Sequence, residues 1–189
     1  MRILPFFAVI AITFSCSRGP AELKPGVWRG VIQLQGQELP FTFEVENQAS
    51  SYRVYLRNAS EKLTLDEVSV MADSVKMVLH IFDAELRAKI NGNSLDGFYF
   101  KNYDTSFKLP FTASFGDDFR FAETIDKTTT DFSGKYGVVF VSDKNDTTLS
   151  IGIFNQKGNH VEGTFLTPVG DYRYLEGNVV DDKLYLSTF

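Results

Sequence analysis

The sequence predicts an all-β fold made of antiparallel meanders, and three observations support this prediction. Phe occurs 18 times in 189 residues, beside a single Trp and three Met, and this aromatic bias favours strands over helices. Apolar residues alternate with polar ones, as where Phe41, Phe43 and Val45 flank Thr42 and Glu44. Residues typical of tight turns separate such runs, which is the pattern of half-buried antiparallel strands.

The same alternation of period two continues along the chain. It occurs again at 68–70, 75–79 and 86–90. Residues 61–72 form the one stretch in which a helix is an alternative. Its leucines and valines fit two strands and a bend better than a period of 3.6, so we predict strands there as well.

Four hairpin turns are predicted from residues that tolerate the positive φ of tight turns. These turns are Gln35-Gly36-Gln37, Asn91-Gly92-Asn93, Lys157-Gly158-Asn159 and Asp181-Asp182-Lys183.

Two parts of the chain resemble each other and predict two related meanders. Each begins with the pattern Gly-x-aromatic, which ends at Trp28 in the first part and at Tyr136 in the second. Each also contains a hairpin with the pattern Gly-Asn-x-x-acid-Gly. We predict meanders at 24–115 and 132–189, joined by a connector at 116–131, and expect both aromatic residues to anchor them against a core. The whole would form a lipocalin-like open barrel or two small stacked sheets.

The N-terminus predicts export and lipid anchoring. Arg2 precedes the uncharged apolar run at 3–14, which suits a signal peptide at 1–15. Ser15 and Cys16 follow the run, and a small residue followed by Cys resembles the lipidation motif of bacterial lipoproteins. Cys16 is the only Cys in the chain, so we predict that it carries the lipid, with a tether at 16–23. This places the protein in the bacterial cell envelope, attached to a membrane and facing the periplasm or the cell surface.

Composition and spacing point away from several functions. The net charge of −5 and scattered Lys and Arg residues argue against nucleic-acid binding. His80 and His160 lack ligands at metal-site spacing, so no metal site is expected. The sequence has no nucleophile elbow, P-loop or dinucleotide motif, and its acids beside glycines have the character of solvated turn residues. We therefore predict no catalytic residue and no cofactor.

The densest cluster of polar and aromatic residues lies at 163–177. One interpretation is a hairpin with a turn at Pro168-Val169-Gly170-Asp171. The other is that Tyr172, Arg173 and Tyr174 form a patch that binds a ligand or a protein partner. The sequence favours the hairpin and leaves the patch open.

Several motifs resemble the N-terminal region of lipoproteins from Bacteroidetes-type bacteria in the TlpA family of peroxiredoxin-like thiol–disulfide oxidoreductases. They are Lys24-Pro25-Gly26 to Trp28, Glu38-Leu39-Pro40-Phe41, Gly170-Asp171-Tyr172-Arg173-Tyr174-Leu175-Glu176-Gly177 and Leu186-Ser187-Thr188-Phe189. The resemblance implies that a thioredoxin-fold domain with a Cys-x-x-Cys pair follows in the same polypeptide. The strand pattern runs up to Phe189, and we expect the chain to continue.

Two functions are therefore expected. The first is a non-catalytic N-terminal domain of a membrane-anchored envelope thiol–disulfide oxidoreductase, acting as a spacer or selecting partners. The second is a stand-alone lipoprotein whose calycin-like barrel binds a small apolar ligand or a protein partner.

Overall fold

The structure is a computed structural model that describes residues 21–49, 51–65, 67–123, 130–172 and 174–188. The predicted signal peptide, Cys16, Arg173 and Phe189 lie outside the described residues. The described chain is built almost entirely of antiparallel strands, as the alternation of the sequence predicts. They form one nearly closed barrel and one half-barrel, so the predicted all-β class is confirmed.

Nine strands form the barrel, in the order β4-β3-β2-β1-β9-β8-β7-β6-β5. Their bounds are β1 Gly26–Leu34, β2 Gln37–Gln48, β3 Ser51–Asn58, β4 Glu61–Leu65, β5 Val68–Met71, β6 Ser74–Leu79, β7 Ala84–Asn91, β8 Ser94–Lys101 and β9 Asp104–Phe115, with a 3-10 turn at His80–Phe82 between β6 and β7. Neighbouring strands in this order pair antiparallel, and β1 pairs with both β2 and β9. The stretch 61–72 forms β4 and β5, so the prediction of strands there is confirmed.

Large apolar side chains fill the barrel interior. Trp28, Phe41, Phe43 and Phe111 are fully or almost fully buried, and their rings lie close together. Inward positions alternate with outward ones along each strand, because successive side chains of a strand point to opposite faces. Gly30 faces the ring of Phe41 at a distance where a Cβ atom has no room. The interior is therefore a packed core.

The half-barrel is the second sheet, in the order β10-β11-β12-β14-β15, with β13 paired to β12. Its strands are β10 Gly134–Val141, β11 Thr147–Lys157, β12 His160–Thr167, β13 Gly170–Asp171, β14 Leu175–Val180 and β15 Lys183–Ser187. The sheet does not close within the described residues, and β10 is an edge strand that pairs only with β11.

All four predicted turns connect antiparallel strands. Gly36, Gly92 and Gly158 have positive φ, and so do Asp181 and Asp182 in the last of these turns. The hairpins at Gly92 and Gly158 share a second glycine, and the structure gives the reason for it. Gly97 and Gly163 follow the acid in each, and a Cβ at either position would collide with a backbone carbonyl of the neighbouring strand.

The expected equivalence of Trp28 and Tyr136 is wrong. Trp28 is fully buried, stacks on Phe43 and donates its indole N–H to the Lys24 carbonyl at 2.9 Å. Tyr136 is 41% exposed because its strand, β10, lies at the edge of an open sheet. The two positions match in sequence, but Trp28 lies in the nearly closed barrel and Tyr136 in the open half-barrel.

Two segments that the sequence assigned as a tether and a connector contribute to the packed structure. Leu23, placed in the tether at 16–23, is fully buried in the barrel core. Arg120, placed in the connector at 116–131, is 2% exposed. The pattern of apolar residues predicts neither burial, because Leu23 stands between the charged residues Glu22 and Lys24, and Arg is a residue type that is mostly exposed.

Candidate functional site

A buried guanidinium joins the barrel to the half-barrel. Arg120 donates hydrogen bonds to the Arg57 carbonyl at 2.8 Å and the Asn58 amide oxygen at 3.0 Å, both at the end of β3. It also donates to the Ser187 hydroxyl at 2.9 Å, in β15. Its Nη2 lies 3.2 Å from Oε2 of Glu176, in β14. One side chain of the connector therefore contacts both sheets.

Further hydrogen bonds extend this network. The Ser187 hydroxyl donates to the Pro40 carbonyl of β2 at 2.7 Å, and the Ala59 amide donates to Glu176 at 2.8 Å. The Asn58 amide donates to the Tyr174 carbonyl. Each contact links a barrel residue to a half-barrel residue, so the network fixes how the two sheets meet.

Glu176 and His160 form the ionisable pair of the network. His160 Nε2 lies 3.1 Å from Glu176 Oε1. Burial alone would raise the pKa of Glu176, but the hydrogen bond from His160 and the charge of Arg120 outweigh burial and lower the pKa to about 2. The hydrogen bond to Glu176 raises the pKa of His160 above its ordinary value, against the effect of burial.

This finding corrects the sequence interpretation of Glu176. As an acid beside a glycine it was expected to be a solvated turn residue, whereas it pairs with His160 in a half-buried junction. The oxygens that Arg120 contacts belong to β3 of the barrel and to β14 and β15 of the half-barrel. We therefore interpret the network as a structural clamp between the two sheets. No group of three or more possible metal ligands occurs among the described residues.

Tyr172 and Tyr174, two residues of the predicted patch, have different neighbours in the structure. The Tyr172 ring packs against Phe140 and Phe165, with centroids 5.5 Å and 6.1 Å away. The backbone of Tyr174 instead belongs to the junction, where its carbonyl accepts hydrogen bonds from Asn58 and Thr188. The predicted hairpin is present as β12 and β13, with Leu166 opposite Asp171.

Tyr172 belongs to an aromatic cluster on one face of the half-barrel. The cluster consists of Tyr136, Phe140, Phe154, Phe165 and Tyr172. Gly152 and Gly163 leave the room that the Phe154 ring occupies, since a Cβ at either position would press on that ring.

The opposite face of the same strands carries an exposed group of aliphatic side chains, here called the aliphatic patch. Val139 pairs with Leu149, and Ile151 pairs with Leu166, so these side chains share a face with Val141. Their exposed fractions lie between 40% and 72%. Soluble surfaces rarely expose so many large apolar side chains side by side, and such patches mark interaction sites. Since the other face of these strands is aromatic, β10–β12 are apolar on both sides.

A separate apolar pocket of about 220 Å³ opens at one end of the barrel. The 3-10 turn and the ends of β1, β2, β8, β9 and β15 surround it. It is lined by Ile32, Leu34, Leu39, Phe82, Tyr99, Lys101, Phe107, Leu109 and Thr188. We call it the barrel mouth.

No helix in the described part of the chain has the length and apolar character needed to span a membrane. Comparison of the sequence and structure with protein-family models, curated proteins and solved structures gave no match.

Proposed function

We propose that this chain is a non-catalytic protein-docking domain of a membrane-anchored thiol–disulfide oxidoreductase in the bacterial envelope. The observation that carries the proposal is the aliphatic patch on β10–β12. A lipid on Cys16 would hold the domain at a membrane, and the half-barrel would bind the redox domain or its protein substrate.

The shape of this surface favours a protein over a small molecule. The patch lies on the face of a sheet, and neighbouring side chains from three strands form it, which suits the broad contact that proteins make. Strand β10, which carries Val139 and Val141 of the patch, is an edge strand among the described residues, and natural proteins cover or pair such an edge. A partner that packs on the patch would cover both features.

The assignment of a redox partner is supported by the resemblance to the TlpA family. With a single Cys, the chain has no dithiol of its own, and thiol–disulfide exchange by a Cys-x-x-Cys pair needs a second protein domain. Within this proposal, the barrel and the Arg120 network give the half-barrel a fixed position on which a partner docks.

Charged substitutions in the patch test the proposal. The chain is mixed with a purified TlpA-type thioredoxin-fold domain, and binding is measured by titration calorimetry. The double variant Leu149→Lys/Ile151→Lys should bind at least tenfold more weakly, because it places two charges in an apolar contact. Both side chains are exposed, so the variant should fold normally.

Met71→Lys is the matched control. Met71 is the most exposed large apolar side chain of the barrel strands but lies outside the patch, so this variant should bind like the unaltered chain. The absence of binding by the unaltered chain would refute the redox assignment. A concentration-dependent dimer that the double variant abolishes would show that a second copy covers the patch.

A further inference from the structure

We propose that the barrel mouth is a binding site for a small apolar monocarboxylate, with the Lys101 ammonium as its counter-ion. This site lies on a different part of the molecule from the aliphatic patch. Ligand binding at the barrel mouth is therefore independent of the proposed docking function.

The side chains that line the barrel mouth favour an apolar ligand. Leu34, Leu39, Phe107 and Leu109 converge on it from β1, β2 and β9, and Tyr99 adds an aromatic ring from β8. Its volume of about 220 Å³ is below the range of roughly 300–1,000 Å³ that drug-sized ligands occupy. A short alkyl chain or a single ring would fit, whereas a long acyl chain would have to extend into solvent.

Lys101 adds one positive charge to this apolar wall. Its Nζ donates to the Phe82 carbonyl at 2.9 Å and lies 5.5 Å and 5.8 Å from the rings of Tyr99 and Tyr103. No carboxylate lies within 4 Å of this ammonium in the described ranges. An ammonium group has three donors, and one is used here, so two donors remain for an anion.

The charge at the mouth sets the charge of the ligand. Lys101 is the single cationic residue among those that line the pocket. Lys108 lies in the neighbouring strand β9, on the outer face of the barrel, where its Nζ is 3.6 Å from the centroid of the Phe98 ring. One ammonium matches a monoanion, while a phosphate dianion would call for a second cation. An apolar molecule with one carboxylate fits both the wall and the charge.

Octanoate and benzoate are the probes, and 1-octanol is the neutral match for octanoate. Binding to the chain is measured by calorimetry and by amide chemical shifts. We expect octanoate to bind at least tenfold more tightly than 1-octanol and to shift residues of the barrel mouth, because a charge-assisted hydrogen bond supplies that difference. Comparing octanoate with benzoate distinguishes an alkyl ligand from an aromatic one.

Substitutions assign the effect to Lys101. Lys101→Met should weaken octanoate binding about tenfold and leave 1-octanol binding unchanged, while Lys101→Arg should retain octanoate binding. Leu34→Glu, at the exposed rim, should repel octanoate without disturbing the core. Lys108→Met is the matched control and should bind octanoate normally. Equal binding of octanoate and 1-octanol, shifts away from the mouth, or no octanoate binding at millimolar concentration would overturn the proposal.

Discussion

Nη2 of Arg120 lies 3.2 Å from Oε2 of Glu176, and this ion pair crosses from the connector to strand β14. Arg120 is almost completely buried, and Glu176 is mostly so. Burying two charges costs solvation free energy that their attraction recovers only with good geometry and further hydrogen bonds. Arg120 has those bonds to Arg57, Asn58 and Ser187, which is why the pair can lie between two sheets.

Arg120→Met should lower the free energy of unfolding by about 3–5 kcal/mol, because it leaves the partly buried Glu176 carboxylate without the Arg120 guanidinium. Urea unfolding followed by circular dichroism measures the change. Arg57→Met is the control, since it removes an ion pair with the exposed Asp118 at the surface and should cost about 0–1 kcal/mol. The double variant Arg120→Met/Glu176→Met should recover part of the loss. Equal losses in Arg120→Met and Arg57→Met would contradict the assigned clamp.

Trp28→Ala and Tyr136→Ala should differ strongly in stability. Trp28 is fully buried between Phe43 and Phe115, so its truncation should cost about 3–5 kcal/mol. Tyr136 is half-exposed and contacts Phe154 at the sheet edge, so its loss should cost about 1 kcal/mol. Thermal unfolding of both variants by circular dichroism checks the ranking, and comparable losses would restore the equivalence that the sequence suggested.

Stability should depend on pH through Glu176. Its pKa in the folded protein is about 2, below its ordinary value, so its contribution is present above pH 4.5 and is lost as pH falls towards 2. The loss should be on the order of 3 kcal/mol. Urea unfolding between pH 2 and 5 measures it. Glu176→Gln should flatten the acid side of the curve, and Glu44→Gln, which removes an exposed partner of Lys62, should change it much less because solvent screens that pair.

His160 acts in the opposite direction at higher pH. Its folded pKa is raised, so its contribution is complete below the unfolded value of about 6.5 and is lost as pH rises through the folded pKa. The contributions of both residues are therefore present together between about pH 4.5 and 6.5. A stability maximum well above this window, together with no change in Glu176→Gln, would contradict the role of the pair.

Cys16 should carry the lipid anchor. Mass spectrometry of the membrane fraction should find an acylated Cys16 as the first residue of the mature chain. Cys16→Ala should release the protein from membranes, since two or more acyl chains give stable anchoring. Ser17→Ala keeps the thiol and should stay attached. Membrane association of the Cys16→Ala protein equal to that of the unaltered chain would refute the assignment.

The sequence by itself determined the features that depend on local order along the chain. Strand positions follow from alternation, because successive side chains of a strand face opposite sides, and the hairpins follow from residues that tolerate positive φ. The burial of Trp28 and the strand character of 61–72 were predictable on these grounds.

Only the tertiary structure decided which distant residues meet. Arg120 reaches Asn58 and Ser187, which lie 62 and 67 residues away in sequence, and no local pattern encodes such a contact. Tyr136 matches Trp28 in its motif, yet its exposure depends on whether its sheet closes. Lys101 becomes the cation of an apolar pocket because barrel closure brings the ends of several strands together around it. Local sequence patterns determine the strands and turns, whereas packing between strands determines the Arg120 junction and the barrel mouth.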